Sequence, residues 1–266
     1  AQSTRAWHLA WREGRTTPEQ AAFWEPVGYE ELYHTAEDPW EVRNLAGDSA
    51  HARRLHAMRR QTDDHMRRVR DGGFLPEDLF ERVLEDSAEG GPATLHAYFQ
   101  SEEYPLGAAM ELADLASSGR PDWRGRLVRA LGEEDPVLRY WGAVGMVVRA
   151  RQDGALSDRH KDALQPLLAD PVGSIRAMAA EAAYAAEMRD QAMDAFGELV
   201  RRDGDMEVLF ALNALSNLPL TSEEIARLEP HVARIAQDDA RVLRGQFGYS
   251  KRIAAHLIRI WDGQPY

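Results

Sequence analysis

The side chains of this 266-residue chain that could carry chemistry are scattered rather than convergent. His51, His56 and His65 fall on one predicted helix, but spacings of five and nine do not align them as the i, i+4 pair of a zinc helix would be. Surface histidines are the expectation. The pairs Glu30-Glu31, Glu102-Glu103, Glu133-Glu134 and Glu223-Glu224 place adjacent carboxylates on different helix sides, which denies them shared acid–base work. The helix carrying Arg53, Arg54, Arg59, Arg60, Arg67, Arg68 and Arg70 admits two readings: an anion or sulfated-glycan patch, or a solvated face paired with Asp63 and Asp64. The second is the commoner fate of such faces. Tyr140-Trp141, with Tyr98, Phe99 and Tyr104 upstream, could line a sugar groove, but core packing or a domain seam is expected. Gly-rich phosphate loops, a Ser-His-Asp context and a Rossmann fingerprint are all missing from the sequence. No catalytic, cofactor-binding or metal-ligating residue is assigned.

The elements that would position these groups are helices. From His51 to Arg70, Leu55, Met58, Met66 and Val69, with Thr62, recur in steps of three and four, so one stripe should face a core. Asp48 or Ser49 supplies the N-cap, and Gly72-Gly73 the stop. Beyond the connector Glu89-Gly90-Gly91-Pro92, short helices alternate with Gly, Asp and Pro. Leu127–Met146 and Leu164–Ala183 align at an offset of 37, pairing Leu127 with Leu164, Leu131 with Leu168, Leu138 with Ile175, Arg139 with Arg176 and Ala143 with Ala180. Each copy is a helix, an Asp-Pro turn and a second helix. Weaker copies lie over Leu106–Ala116 and Leu199–Leu215, and Ile253–Ile260 closes the array, with Phe247, Tyr249 and Trp261 capping it. A two-helix unit with a period near 37 points to HEAT-like solenoid packing. Arg139 and Arg176, each just after an Asp-Pro turn, should bond turn carboxylates or carbonyls. Thr221 and Glu224 have capping-box spacing.

Composition narrows the classes. The absence of Cys removes disulfides, thiolate metal sites and thiol catalysis together. A net charge of −12, with acidic residues in excess both before and after Glu81, disfavours nucleic acid as a partner. No apolar run is long enough for a membrane span, and no signal peptide is present in the residues given. Lys161 and Lys251 are the only lysines, so the preference for Arg reads as genome composition rather than as a binding code.

The stretch Glu30–Ala46, reading EELYHTAEDPWEVRNLA, is the most specific in the chain. Pro39 fixes its own φ and pushes Asp38 out of the helical region, so a short extended piece should lead into a turn. It resembles the C-terminal subdomain of the type I sulfatase family, in which an E-L-Y-D-L strand precedes a D-P-x-E-x-x-N-L-A turn and a long helix. Glu31, Leu32, Tyr33, Asp38, Pro39, Glu41, Asn44, Leu45 and Ala46 match, while His34 and Thr35 replace the usual Asp and Leu. Arg5-Ala6-Trp7, Thr17-Pro18-Glu19-Gln20, Phe23-Trp24-Glu25-Pro26 and Gly73-Phe74-Leu75-Pro76-Glu77 look like a bacterial subgroup with a helical-repeat tail.

The resemblance implies a mainly α chain: residues 1–80 as a strand-plus-helix remnant of that subdomain, 81–105 as connector, and 106–266 as an α-α superhelix of HEAT-like repeats. It implies a parent that hydrolyses sulfate esters with formylglycine and calcium, and a location in the periplasm or outside the cell if the parent acts on polysaccharides, otherwise in the cytoplasm. Implied partners are the sulfatase catalytic domain or another copy of this chain, with glycan as an alternative. The family's C/S-x-P-x-R nucleophile motif does not occur in these residues, so this portion alone should not hydrolyse a sulfate ester by that mechanism. A free-standing α-solenoid interaction module is the rival reading. Because the family's neighbouring strands come from elsewhere, residues 27–36 should pair with another chain, form a ribbon by dimerisation or lie as irregular chain.

Overall fold

In the computed structural model, residues 2–85, 91–118, 123–153, 156–239 and 248–264 are described. The connector residues Glu89 and Gly90, and Phe247, lie outside them. The described chain is mainly α and separates into two compact units, Ala1–Val69 and Arg70–Pro265.

The first unit holds α1 (Gln2–Arg12), α2 (Pro18–Ala21) and α3 (Ala52–Val69). Thr17 starts α2 with a capping box: its hydroxyl accepts from the Gln20 amide, and the Gln20 side chain accepts from the Thr17 amide. The rings of Trp7, Trp11, Phe23 and Trp24 pack around one another, with Trp7 and Phe23 centroids 5.0 Å apart. Asp48 provides the predicted cap before α3, its carboxylate accepting from the Ala50 amide. The stop is not the glycine pair. Arg70 turns the chain with φ of 54°, and Gly72–Phe74 forms a 3₁₀ turn capped by Asp71.

Two expectations for this unit need correction. Among the described residues no strand forms, and Glu31–Thr35 is irregular chain entering a turn, the third of the anticipated outcomes. A strand needs a partner along its length, and here only Leu32 is held on both sides. The apolar stripe of α3 also finds no core: α3 has no buried residue, and Met58 and Val69 are 46% and 48% exposed. Among the described residues, Leu32 is the only buried hydrophobic side chain of the unit.

The second unit is a stacked array. After α4 (Glu77–Glu85) and α5 (Pro92–Gln100), one row runs α6 (Leu106–Ser117), α8 (Pro136–Asp153), α10 (Gly173–Ala185), α12 (Asp205–Ser216) and α14 (Tyr249–Trp261), each packing on the next. A second row covers it: α7 (Trp123–Ala130) lies on α6 and α8, α9 (Asp158–Leu164) and its 3₁₀ extension on α10, α11 (Arg189–Leu199) on α10 and α12, and α13 (Ser222–Gln237) on α11 and α14. Thr221 and Glu224 form the expected capping box of α13. The core sits between the rows. The matched pairs Leu127 with Leu164 and Ala143 with Ala180 are fully buried, whereas Ile175 is fully buried but its counterpart Leu138 is only partly covered. Small residues permit the spacing: a Cβ on Gly173 would fall 2.5 Å from the Glu207 side chain, and one on Gly142 3.1 Å from the Ala130–Leu131 segment.

Candidate functional site

The sequence-specific stretch folds as a clip. Asp38 opens it, one carboxylate oxygen accepting from the Val42 amide at 3.2 Å and the other from the Arg43 amide at 2.8 Å. Those bonds hold Glu41 at φ of 51°, a conformation few residues adopt unaided. Asn44 closes the clip: its Oδ1 accepts from Leu32 and Ala46, its Nδ2 donates to the Glu30 carbonyl at 3.1 Å, and the Leu45 amide reaches the Leu32 carbonyl at 2.7 Å. The side-chain amide thus substitutes for a short piece of paired strand. Glu30 is tied to α3 by a bidentate pair with Arg59, whose hydrogen bonds hold the Glu30 carboxyl below its usual range. The matched motif residues therefore act as backbone clamps.

The clip presents open surface. The Glu31 and Tyr33 backbones make no hydrogen bond to the described residues, while a groove of about 440 Å³ runs beside Leu32, Tyr33, His34, Leu45, Arg54 and Met58. Trp40, at the clip's turn, is 85% exposed, and Val27, Tyr29 and Val42 are exposed as well.

On α3, Arg59 also donates to His56 Nδ1 and Arg68 to His65 Nδ1, so both histidines serve as local acceptors and the three helix histidines do not converge. Arg53, Arg54, Arg60 and Arg67 are exposed and make no ion pair among the described residues, where the anticipated pairing with Asp63 and Asp64 does not occur. Arg70 leaves that face altogether, donating to the carbonyls of Phe99 (2.6 Å), Ser101 and Tyr104.

In the second unit the singled-out groups are structural. Arg139 donates to the Glu133 and Glu134 carbonyls and pairs with Asp170 at 2.8 Å; Arg176 donates to the Asp170 carbonyl and pairs with Glu198. The Asp-Pro turn of one repeat copy is thereby tied to the arginine of the copy before it. Tyr98, Phe99 and Tyr104 pack on one another in tilted and edge-on pairs, and Trp141 packs on Phe74 while donating to its carbonyl. Their faces are spent on packing.

Sequence reasoning missed Asp78. On α4 and 94% buried, since its exposure is 6%, it accepts from the Ser174 amide at 2.8 Å and so caps α10, whose own N-cap residue, Val172, has no capping side chain. Burial raises its carboxyl, opposed by the Ser174 bonds and assisted by nearby Glu207. The 96-residue separation leaves no local signal for this.

Among the described residues no group of three or more His, Cys, Asp or Glu could hold a metal ion, and no helix is long and apolar enough to cross a membrane. No protein-family model, curated protein or solved structure matches the chain.

Proposed function

We propose that this chain is the non-catalytic C-terminal portion of a sulfatase, a sulfuric ester hydrolase, and that it packs on the catalytic domain, shaping the rim of its cleft or mediating assembly. In this reading the second unit is a HEAT-like α-α superhelix, the parent carries formylglycine and calcium, and the chain alone is inactive. The observation that carries the proposal is the first unit's missing core. A unit of this size with one buried hydrophobic side chain among its described residues cannot offset the entropy of ordering its chain. Burying a side chain such as Trp40 or Phe23 against a partner supplies about 1.5–3 kcal/mol each, so a few decide whether the unit is ordered. The resemblance to the sulfatase motif supports the catalytic domain as that partner: in that family the segment matching Glu31–Thr35 is a strand in a small antiparallel sheet, and the open Glu31 and Tyr33 backbones suit such pairing.

The test is mass spectrometry of the whole gene product. A C/S-x-P-x-R peptide upstream of Ala1, with its first residue converted to formylglycine, is expected, and a gene product without that motif would sink the reading. The alternative is a free-standing α-solenoid that binds another protein; the self-contained packing of the second unit favours it, while the exposed apolar surface of the first counts against it.

A further inference from the structure

We propose that the outer face of α3 binds an anionic polysaccharide through Arg53, Arg60 and Arg67, with Arg54 flanking them. The inference rests on this helix alone and stands whatever the parent protein is. The three residues recur every seven positions, so they drift only about 20° per step and form one stripe, with guanidinium roots about 10.5 Å apart. All three are exposed, and none forms an ion pair with a described residue, although Asp64 lies one turn from both Arg60 and Arg67. Arg59 and Arg68, on the same helix, are engaged by Glu30 and by His65, which leaves the stripe as the helix's unspent positive charge. Over α3 six arginines face two aspartates, in a chain whose net charge is −12. That contrast makes α3 a local positive field on an otherwise repelling molecule.

The spacing selects the polymer. Nucleic acid places a phosphate about every 3.4 Å along each strand, so a stripe with arginines about three times farther apart leaves most phosphates facing Asp63, Asp64 and the acidic remainder of the chain. A polysaccharide carrying one anionic group per disaccharide has sparser charge that the stripe can match singly, and sulfate or carboxylate oxygens accept well from a guanidinium. The preference for Arg over Lys carries no weight here, being chain-wide.

The test uses the full chain and immobilised hyaluronan, which carries one carboxylate per disaccharide, with poly-dT and poly-glutamate as competing probes, at 50 and 200 mM NaCl. Binding at the lower salt is expected, falling roughly tenfold or more at the higher for three to four contacts. The triple variant Arg53→Gln/Arg60→Gln/Arg67→Gln should lose at least tenfold. The variant Arg5→Gln/Arg12→Gln/Arg129→Gln, which removes the same charge from other exposed sites, should bind like the parent. Should the triple variant melt earlier than this control, the single reversals Arg53→Glu and Arg67→Glu carry the same comparison. No binding at 50 mM, equal losses in the stripe and control variants, or tighter binding to poly-dT or poly-glutamate would overturn the proposal.

Discussion

Asn44 and Asp78 do the most for their size, and each yields a prediction. Asn44→Ala removes three hydrogen bonds of the clip and should cost about 1–3 kcal/mol locally. The check is hydrogen exchange: the Leu32 and Ala46 amides should exchange faster, with helical amides of α10 unchanged. For Asp78 the sign follows from its raised carboxyl. A folded-state value above the unfolded one means its contribution is full at pH below the unfolded range, near 3.8, and is lost as pH rises through the folded value. Asp78→Asn keeps an acceptor for the Ser174 amide and cannot ionise. The variant should match or exceed the parent in urea at pH 7 and show a flatter dependence between pH 4 and 7. Some slope should persist, because Glu181 is also raised by burial. A loss of more than about 1 kcal/mol at pH 7 would instead mean that the charge itself holds α10.

At the scale of elements, α10 is the keystone, packed by α8, α11 and α12 and capped by α4. Its first residue, Gly173, has no room for a methyl group because Glu207 of α12 approaches both by side chain and by Cα, the latter at 3.0 Å. Gly173→Ala should therefore destabilise the second unit by about 1–3 kcal/mol in urea unfolding, and more than Gly142→Ala, where the closest atoms lie 3.1 Å away. Equal effects would show that α12 shifts freely. Much of this level was readable beforehand: the pairs Leu127 with Leu164, Leu131 with Leu168 and Ala143 with Ala180 are buried, though Leu138 is not, and Arg139 and Arg176 both bond carbonyls of their acidic turns. What local pattern could not supply was the capping of α10 from α4, or the stop of α3 at Arg70, since both depend on groups distant in sequence or on a non-glycine residue in a left-handed conformation.

For the whole molecule, the two units differ in how completely they bury themselves. The described residues of 70–265 form a double row of packed helices, whereas the first unit keeps Trp7, Phe23, Val27, Tyr29, Trp40 and Val42 exposed. Expressed separately, 70–265 should unfold cooperatively by circular dichroism, and 1–69 should lack a cooperative transition. A sharp melt for 1–69 would remove the argument that it needs a partner. The amino-acid sequence by itself determined the mainly helical character, the 37-residue similarity, the turn at Asp38-Pro39 and the absence of Cys, because these follow from periodicity, turn chemistry and inventory. Only the tertiary structure decided that Glu31–Thr35 is not a strand and that the α3 stripe has no core. Burial and strand pairing belong to what surrounds a segment, and no periodicity within the segment can report whether that surrounding chain is there.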